Sequence, residues 1–167
     1  MSTPQLVTYR PEYARAYADL NYEWIEKFFA IEDEDRKALE DPEGYAINPG
    51  GQIFFTLVEG EPVGTVAMVP VREKRGGKEV LIFELAKMAV SPAMQGRGLS
   101  DLLMQACIDF AREQGAVEVM LVTNDVLTPA LGLYKKHGFE IETYADQRYD
   151  RGNTQMTLVL SPEDARE

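Results

Sequence analysis

Gly96 and Gly98, set one residue apart in Gln95-Gly-Arg-Gly-Leu-Ser100, stand between an apolar run and an amphipathic one. Glycine lets the backbone approach an anion closely, and the unpaired N–H groups of a first helical turn then point at it, so the segment reads as a phosphate cradle. An ordinary strand-to-helix turn also explains the two glycines. The Lys-Ser/Thr ending of a nucleotide P-loop is missing, which disfavours a kinase, and so is the three-glycine dinucleotide fingerprint. Glu84, within Phe83-Glu-Leu-Ala86, is a carboxylate in mostly apolar company. Partial burial would raise its pKa toward the working pH and suit it to act as a general base, directly or through water; a strand residue paired with a cation such as Lys87 is the other account of it. Tyr134 sits on a short helical run and offers either a hydroxyl donor or a ring packed in the core.

Asn21 interrupts an apolar helical face made by Tyr17, Ala18, Ile25 and Phe28, with Trp24 beside it, either as part of a ligand pocket or as one satisfied amide in a buried stripe. Cys107 falls on the apolar face of a helix and reads as a small hydrophobe, and His137, before Gly138, as a helix C-terminal residue complementing the dipole. The run Glu32 to Asp35 reads as a solvated helix start that could also attract a cation.

The elements that must position these residues follow from periodicity. Leu6 to Thr8 is a short strand, and Pro11 opens a helix carrying Ala14, Tyr17, Ala18, Ile25 and Phe28. A second short helix opens at Glu32 to Asp35 and is closed by Pro42 and Gly44. Gln52 to Glu59 and Val63 to Val69 form a hairpin about Gly60-Glu61-Pro62, and Val80 to Val90 is a long strand. Gly98 to Gln114 places Leu99, Leu102, Leu103, Ala106, Cys107 and Phe110 on one face, ended by Gly115. Val117 to Val122 is a buried strand, Thr128 to His137 a helix, and Phe139 to Thr143 with Thr154 to Leu160 two closing strands. The strands flanking the 98 to 114 helix must be parallel and the hairpins antiparallel, so the sheet is mixed.

With 17 Lys+Arg against 28 Asp+Glu, the net charge of −11 leaves no basic stripe for nucleic acid. One cysteine and one histidine argue against a soft-metal site. No leader-like or membrane-spanning apolar run is visible, and a cytoplasmic protein is expected. Nothing repeats, and one domain over 1–167 is expected.

Three motifs in this order resemble the GNAT superfamily of acyl-CoA-dependent N-acyltransferases. Its pyrophosphate loop, Gln/Arg-x-x-Gly-x-Gly/Ala, is matched by Gln95-Gly-Arg-Gly98-Leu-Ser100, with Ser at the last position. Leu85-Ala-Lys-Met-Ala-Val-Ser-Pro92 is similar to its fourth strand, and Tyr134-Lys-Lys-His-Gly-Phe139 to its Tyr-x-x-x-Gly-Phe signature. The usual Asn-x-x-Ala-x-x-x-Tyr is altered, since Asn124 precedes Ala130 by three extra residues and Leu127 holds the Asn position. The resemblance implies an α/β GNAT-like fold: a mixed, mostly antiparallel central sheet of about six to seven strands, flanking helices, and an acyl-CoA cleft between splayed fourth and fifth strands, opened by a bulge.

It implies acetyl-CoA as co-substrate. Gln95, Gly96, Arg97, Gly98, Leu99 and Ser100 would surround the pyrophosphate. The backbone of Met88, Ala89 and Val90 would lie against the pantetheine arm, Asn124 would be a further contact, and Tyr134 would donate to the departing sulfur. The first two helices would wall the acceptor pocket, placing Asn21, Trp24, Phe28 and Glu84 beside the acceptor. The expected reaction moves an acetyl group to a primary amine by direct attack in a ternary complex, because no covalent nucleophile competes. A non-catalytic acyl-CoA-binding or sensing module is the alternative. The expected partner is a small-molecule or peptide amine, cationic by charge complementarity; no nucleic acid or membrane is expected, and a homodimer is left open.

Overall fold

The computed structural model describes residues 3–125, 127–142 and 154–160. It contains β1 (Gln5–Thr8), α1 (Ala14–Phe28), α2 (Asp33–Glu40), β2 (Gln52–Val58), β3 (Glu61–Arg75), β4 (Lys78–Val90), α3 (Leu99–Glu113), β5 (Glu118–Thr123), α4 (Thr128–Lys136), β6 (Glu140–Glu142) and β7 (Thr154–Val159). Seven strands form one sheet in the order β1-β2-β3-β4-β5-β7-β6. β4 and β5 pair parallel and the other neighbours antiparallel, as the expected mixed sheet requires. Thr143, the end of an expected strand, lies outside the described residues.

Alternation along the strands gives the sheet two apolar faces. On one, Ile53, Phe55 and Ala67 pack with Tyr17 and Ile25 of α1 and Leu39 of α2. On the other, Phe54, Val66, Met68, Phe83 and Leu85 meet Leu103, Met104, Cys107 and Ala111 of α3, with Val119, Leu121 and Met156 from beyond β4. Phe110 wedges edge-on between Phe54 and Phe83, at ring separations of 5.8 and 5.1 Å. Burying each such ring contributes about 2–3 kcal/mol. Cys107 is fully buried, and burial pushes its thiol pKa up.

Three expectations are corrected. β3 runs to Arg75 instead of stopping near Val69. Gln52, the first residue of β2, pairs with Met68, so the outer half of β3 pairs with β4 alone and is polar from Arg72 to Arg75. Arg75 there bridges Glu73 and Glu118. Phe28 does not belong to the buried stripe of α1: it is 49% exposed at the last helical residue, and the chain turns extended at Phe29. The acidic run is not solvated throughout either, because Asp35 is fully buried.

Candidate active site

β4 and β5 hold only three paired rows, from Ile82↔Glu118 to Glu84↔Met120. Past Glu84 they part, and among the described residues no strand pairs with 85–90 on the β5 side. The cause lies on the other side of β4. Against β3 the register slips by one between Ala67↔Ala86 and Thr65↔Ala89, so that Lys87 and Met88 oppose the single residue Val66. This extra residue is a bulge, which bends β4 away from β5. Lys87 carries φ 57° to accommodate it.

A cleft fills the fork. Asn21, Trp24 and Ile25 of α1 and Phe29 wall one end; Glu84 to Met88 and Leu121 to Thr123 form its strand sides; Asn124, Leu127, Ala130 and Tyr134 close the other. Glu84 is 6% exposed and sits in the last paired row, opposite Val69 on β3, which packs toward α1 and α2. Its carboxylate therefore lies on the helix face of the fork. Tyr134 is half-buried with its ring 6.2 Å from Phe139, and burial pushes its phenol pKa up to about 12. Asn21 is buried and its Nδ2 donates to Tyr17 O at 2.9 Å, the preceding turn of its own helix. The Trp24 ring is 5.9 Å from Phe29.

The glycine loop lies beyond the end of β4. Gly96 and Gly98 take φ 81° and 78°, and a Cβ added at either meets nothing within 4 Å. Gly98 is the N-cap of α3 and supplies no side-chain cap, so the N–H groups of the first turn lack a capping side chain. Gln95 is tied back by its Nε2 donating to Val90 O at 3.4 Å. An uncapped helix N-terminus beside open, side-chain-free loop space fits a pyrophosphate. The Leu99 side chain is turned into the core with Val58 and Val63, so only its backbone can serve the loop. Asp101, in the same first turn, accepts from Lys136 Nζ at 2.9 Å and pairs with His137 Nε2 at 2.8 Å, pinning the end of α4 to the start of α3. These hydrogen bonds, Lys136 first, hold the Asp101 carboxyl below its usual range.

Of the residues expected around the site, Asn21, Trp24, Glu84, Met88, Asn124 and Tyr134 line the fork together. The loop 95–100 sits apart at the head of α3, Ala89 is buried on Thr65, and Phe28 does not line the cleft. Sequence reasoning missed Phe29 and the involvement of Asp35. Adjacent phenylalanines at a helix end carry no mark of which one turns inward, and Asp35 meets its cation 52 residues away.

A mixed sheet forked between its parallel strands, with a glycine loop leading from the end of β4 into a helix, is the α/β architecture that the resemblance implies. The description "Acetyltransferase (GNAT) family" matches residues 17–139, and the chain belongs to that family. It is 34% identical over 94 residues to N-acetyltransferase family 8 member 2 of Rattus norvegicus, covering 56% of this chain and 41% of that protein. It is 37% identical over 97 residues to the uncharacterized N-acetyltransferase YjgM of Escherichia coli K12, covering 58% of this chain and 56% of that one. The chain thus spans about half the length of the curated relatives it matches. In fold it is similar to a GNAT-family acetyltransferase of Staphylococcus aureus Mu50, with TM-score 0.82 at 20% identity over 95% of this chain and 100% of that one. It is similar also to yncA of Salmonella typhimurium, solved with its cofactor acetyl-CoA, with TM-score 0.72 at 19% identity over 96% and 95%. Among the described residues no helix is long and apolar enough to cross a membrane.

Proposed function

We propose that the chain is an N-acetyltransferase acting as one domain over residues 1–167, and that it passes an acetyl group from acetyl-CoA to a primary amine by direct attack in a ternary complex. The observation that carries this reading is the fork itself, which gathers a buried carboxylate, a phenol and an unpartnered strand edge in one cleft. Acetyl-CoA supplies the activated acyl carbon when bound.

Each step falls to a residue of the chain. The loop from Gln95 to Ser100 and the first turn of α3 hold the pyrophosphate through backbone N–H groups. The β5-facing edge of β4 at Met88, Ala89 and Val90 orients the pantetheine arm as an added strand would, and an N–H there steadies the charge growing on the carbonyl oxygen. Asn21, Trp24 and Phe29 wall the acceptor, and Glu84 takes its ammonium proton, leaving a neutral nitrogen to attack. Tyr134, with a pKa of about 12 against ~8.5 for a thiol, keeps its proton and acts on the departing sulfur as a hydrogen-bond donor. The charge of −11 favours a cationic small-molecule or peptide acceptor.

The test is release of free CoA thiol over a panel of amines. The chain's one cysteine, Cys107, is buried, so the thiol signal belongs to CoA. Acceptor-dependent release is expected. Acetyl-CoA binding without release above the acceptor-free rate for any amine would instead identify an acyl-CoA-binding module.

A further inference from the structure

The extra residue that bends β4 is charged and held. Lys87 has φ 57°, a left-handed backbone that a residue with a Cβ adopts only where its surroundings enforce it. Its ammonium donates to Asp35 Oδ1 at 2.9 Å, with the Lys87 side chain 7% exposed and that of Asp35 fully buried. Asp35 is engaged a second time, because Oδ2 accepts the Glu32 N–H at 2.8 Å and so closes the start of α2. The ion pair therefore links the bulge to the segment 29–32 that joins α1 to α2. Phe29 of that segment faces the acceptor end of the cleft, while Lys87 and Met88 form part of its strand side.

A buried ion pair is poor value as a stabiliser alone, since well-packed apolar side chains of similar volume often hold a core as well or better. What this pair supplies is a fixed distance between two walls that must meet two different substrates. We propose that Lys87 and Asp35 are positioning residues, their ion pair clamping the α1–α2 link to the β4 bulge so that the acceptor nitrogen is held in line with the acyl group. This rests on the acetyl-transfer reading. A misplacement of about 1 Å in such a geometry can cost on the order of 10²-fold in rate.

Three variants test the clamp. Glycine adopts φ 57° without strain, so Lys87→Gly keeps the bulge and removes the clamp. Asp35→Asn removes the counter-charge that Lys87 meets on α2, and Lys87→Met with Asp35→Asn removes both charges of the pair. Each is measured for urea stability, acetyl-CoA affinity, kcat and acceptor KM, and for amide hydrogen exchange over residues 29–40. Lys87→Gly should lower kcat/KM for the acceptor at least tenfold, with a smaller change in acetyl-CoA affinity and faster exchange over 29–40. The double variant should regain stability relative to Asp35→Asn while kcat/KM stays low. If kcat/KM follows stability through the series, the pair is a strut and the proposal is overturned. Unchanged exchange over 29–40 in Lys87→Gly overturns it without any need for turnover. Wild-type protein inactive with every amine would sink the acetyl-transfer reading instead, so the two failures are distinct.

Discussion

Gly98 and Gly115 offer a controlled pair for testing the anion cradle. Both have φ 78°, and a Cβ added at either meets nothing within 4 Å, so an alanine at each carries the same left-handed strain and no internal clash. One stands at the N-cap of α3 and the other just past its C-terminal end. The strain is about 1–2 kcal/mol, and urea unfolding should show a loss of that order for Gly98→Ala and Gly115→Ala alike. Acetyl-CoA affinity should separate them. If the loop holds the pyrophosphate as proposed, a Cβ at Gly98 competes for the open space before the N–H groups, and a tenfold or greater loss, equivalent to about 1.4 kcal/mol or more, is expected by calorimetric titration. Gly115→Ala should bind as wild type does. Equal affinities for both variants, or a matching loss in both, would refute the assignment of the loop as the pyrophosphate site.

With Glu84 as the proposed base, Glu84→Gln preserves shape and burial but removes its proton-accepting group, so kcat at neutral pH should fall roughly 10²-fold or more and partly recover at high pH as neutral amine becomes abundant. Tyr134→Phe should lose on the order of tenfold, without alkaline rescue, because its phenol, with a pKa of about 12, donates a hydrogen bond throughout the working range. A pH–rate profile of both under saturating acetyl-CoA decides, and a Glu84→Gln enzyme near wild-type activity would place the base elsewhere. The Asp101 carboxyl is depressed when folded, so its contribution is present above its unfolded pKa of ~3.9 and lost as pH falls through the folded value. As the site is partly exposed, Asp101→Asn should cost only about 0.5 kcal/mol at pH 7, and urea titrations down to pH 3 should show the gap to wild type closing; an undiminished gap refutes the linkage.

The elements that show in the sequence are those whose side-chain period is imposed by one apolar face. The Leu99 to Phe110 run of α3 is of this kind, and the hairpin at residue 60 shows instead as two apolar runs, buried on both faces, about a Gly60-Glu61-Pro62 turn. The glycine loop is legible because nothing but glycine suits its two left-handed positions. What escaped detection depends on contacts across the fold. The outer half of β3 has one strand neighbour and from Arg72 to Arg75 carries polar residues at successive positions, so alternation fails there although pairing continues. The bulge at Lys87 is a single inserted residue, which a pattern of period two cannot distinguish from a strand that simply ends; it was expected only from the family resemblance. Asp35 looks like part of a solvated acidic run until α2 folds onto β4 and supplies its cation.

The forked sheet behaves as a pair of jaws whose spring is α3. Three paired rows, with the Val117 N–H donating to Leu81 O at 2.9 Å beside them, join the half-sheet ending at β4 to the one beginning at β5. The helix, by contrast, buries Leu103, Met104, Cys107 and Ala111 in a cluster drawn from both: Phe54, Val66, Met68, Phe83 and Leu85 from one side, Val119, Leu121 and Met156 from the other. Interiors packed this densely transmit a change of even one methylene. The gape of the jaws is therefore set in part by side-chain volume along α3, whose Leu103, Met104, Cys107 and Ala111 lie outside the cleft lining while Leu85 and Leu121 of the same cluster reach it. Exchange of one core residue for another along α3 can widen or narrow the slot without replacing any residue that lines it, which gives sequence drift in the core a route to a cleft of altered width.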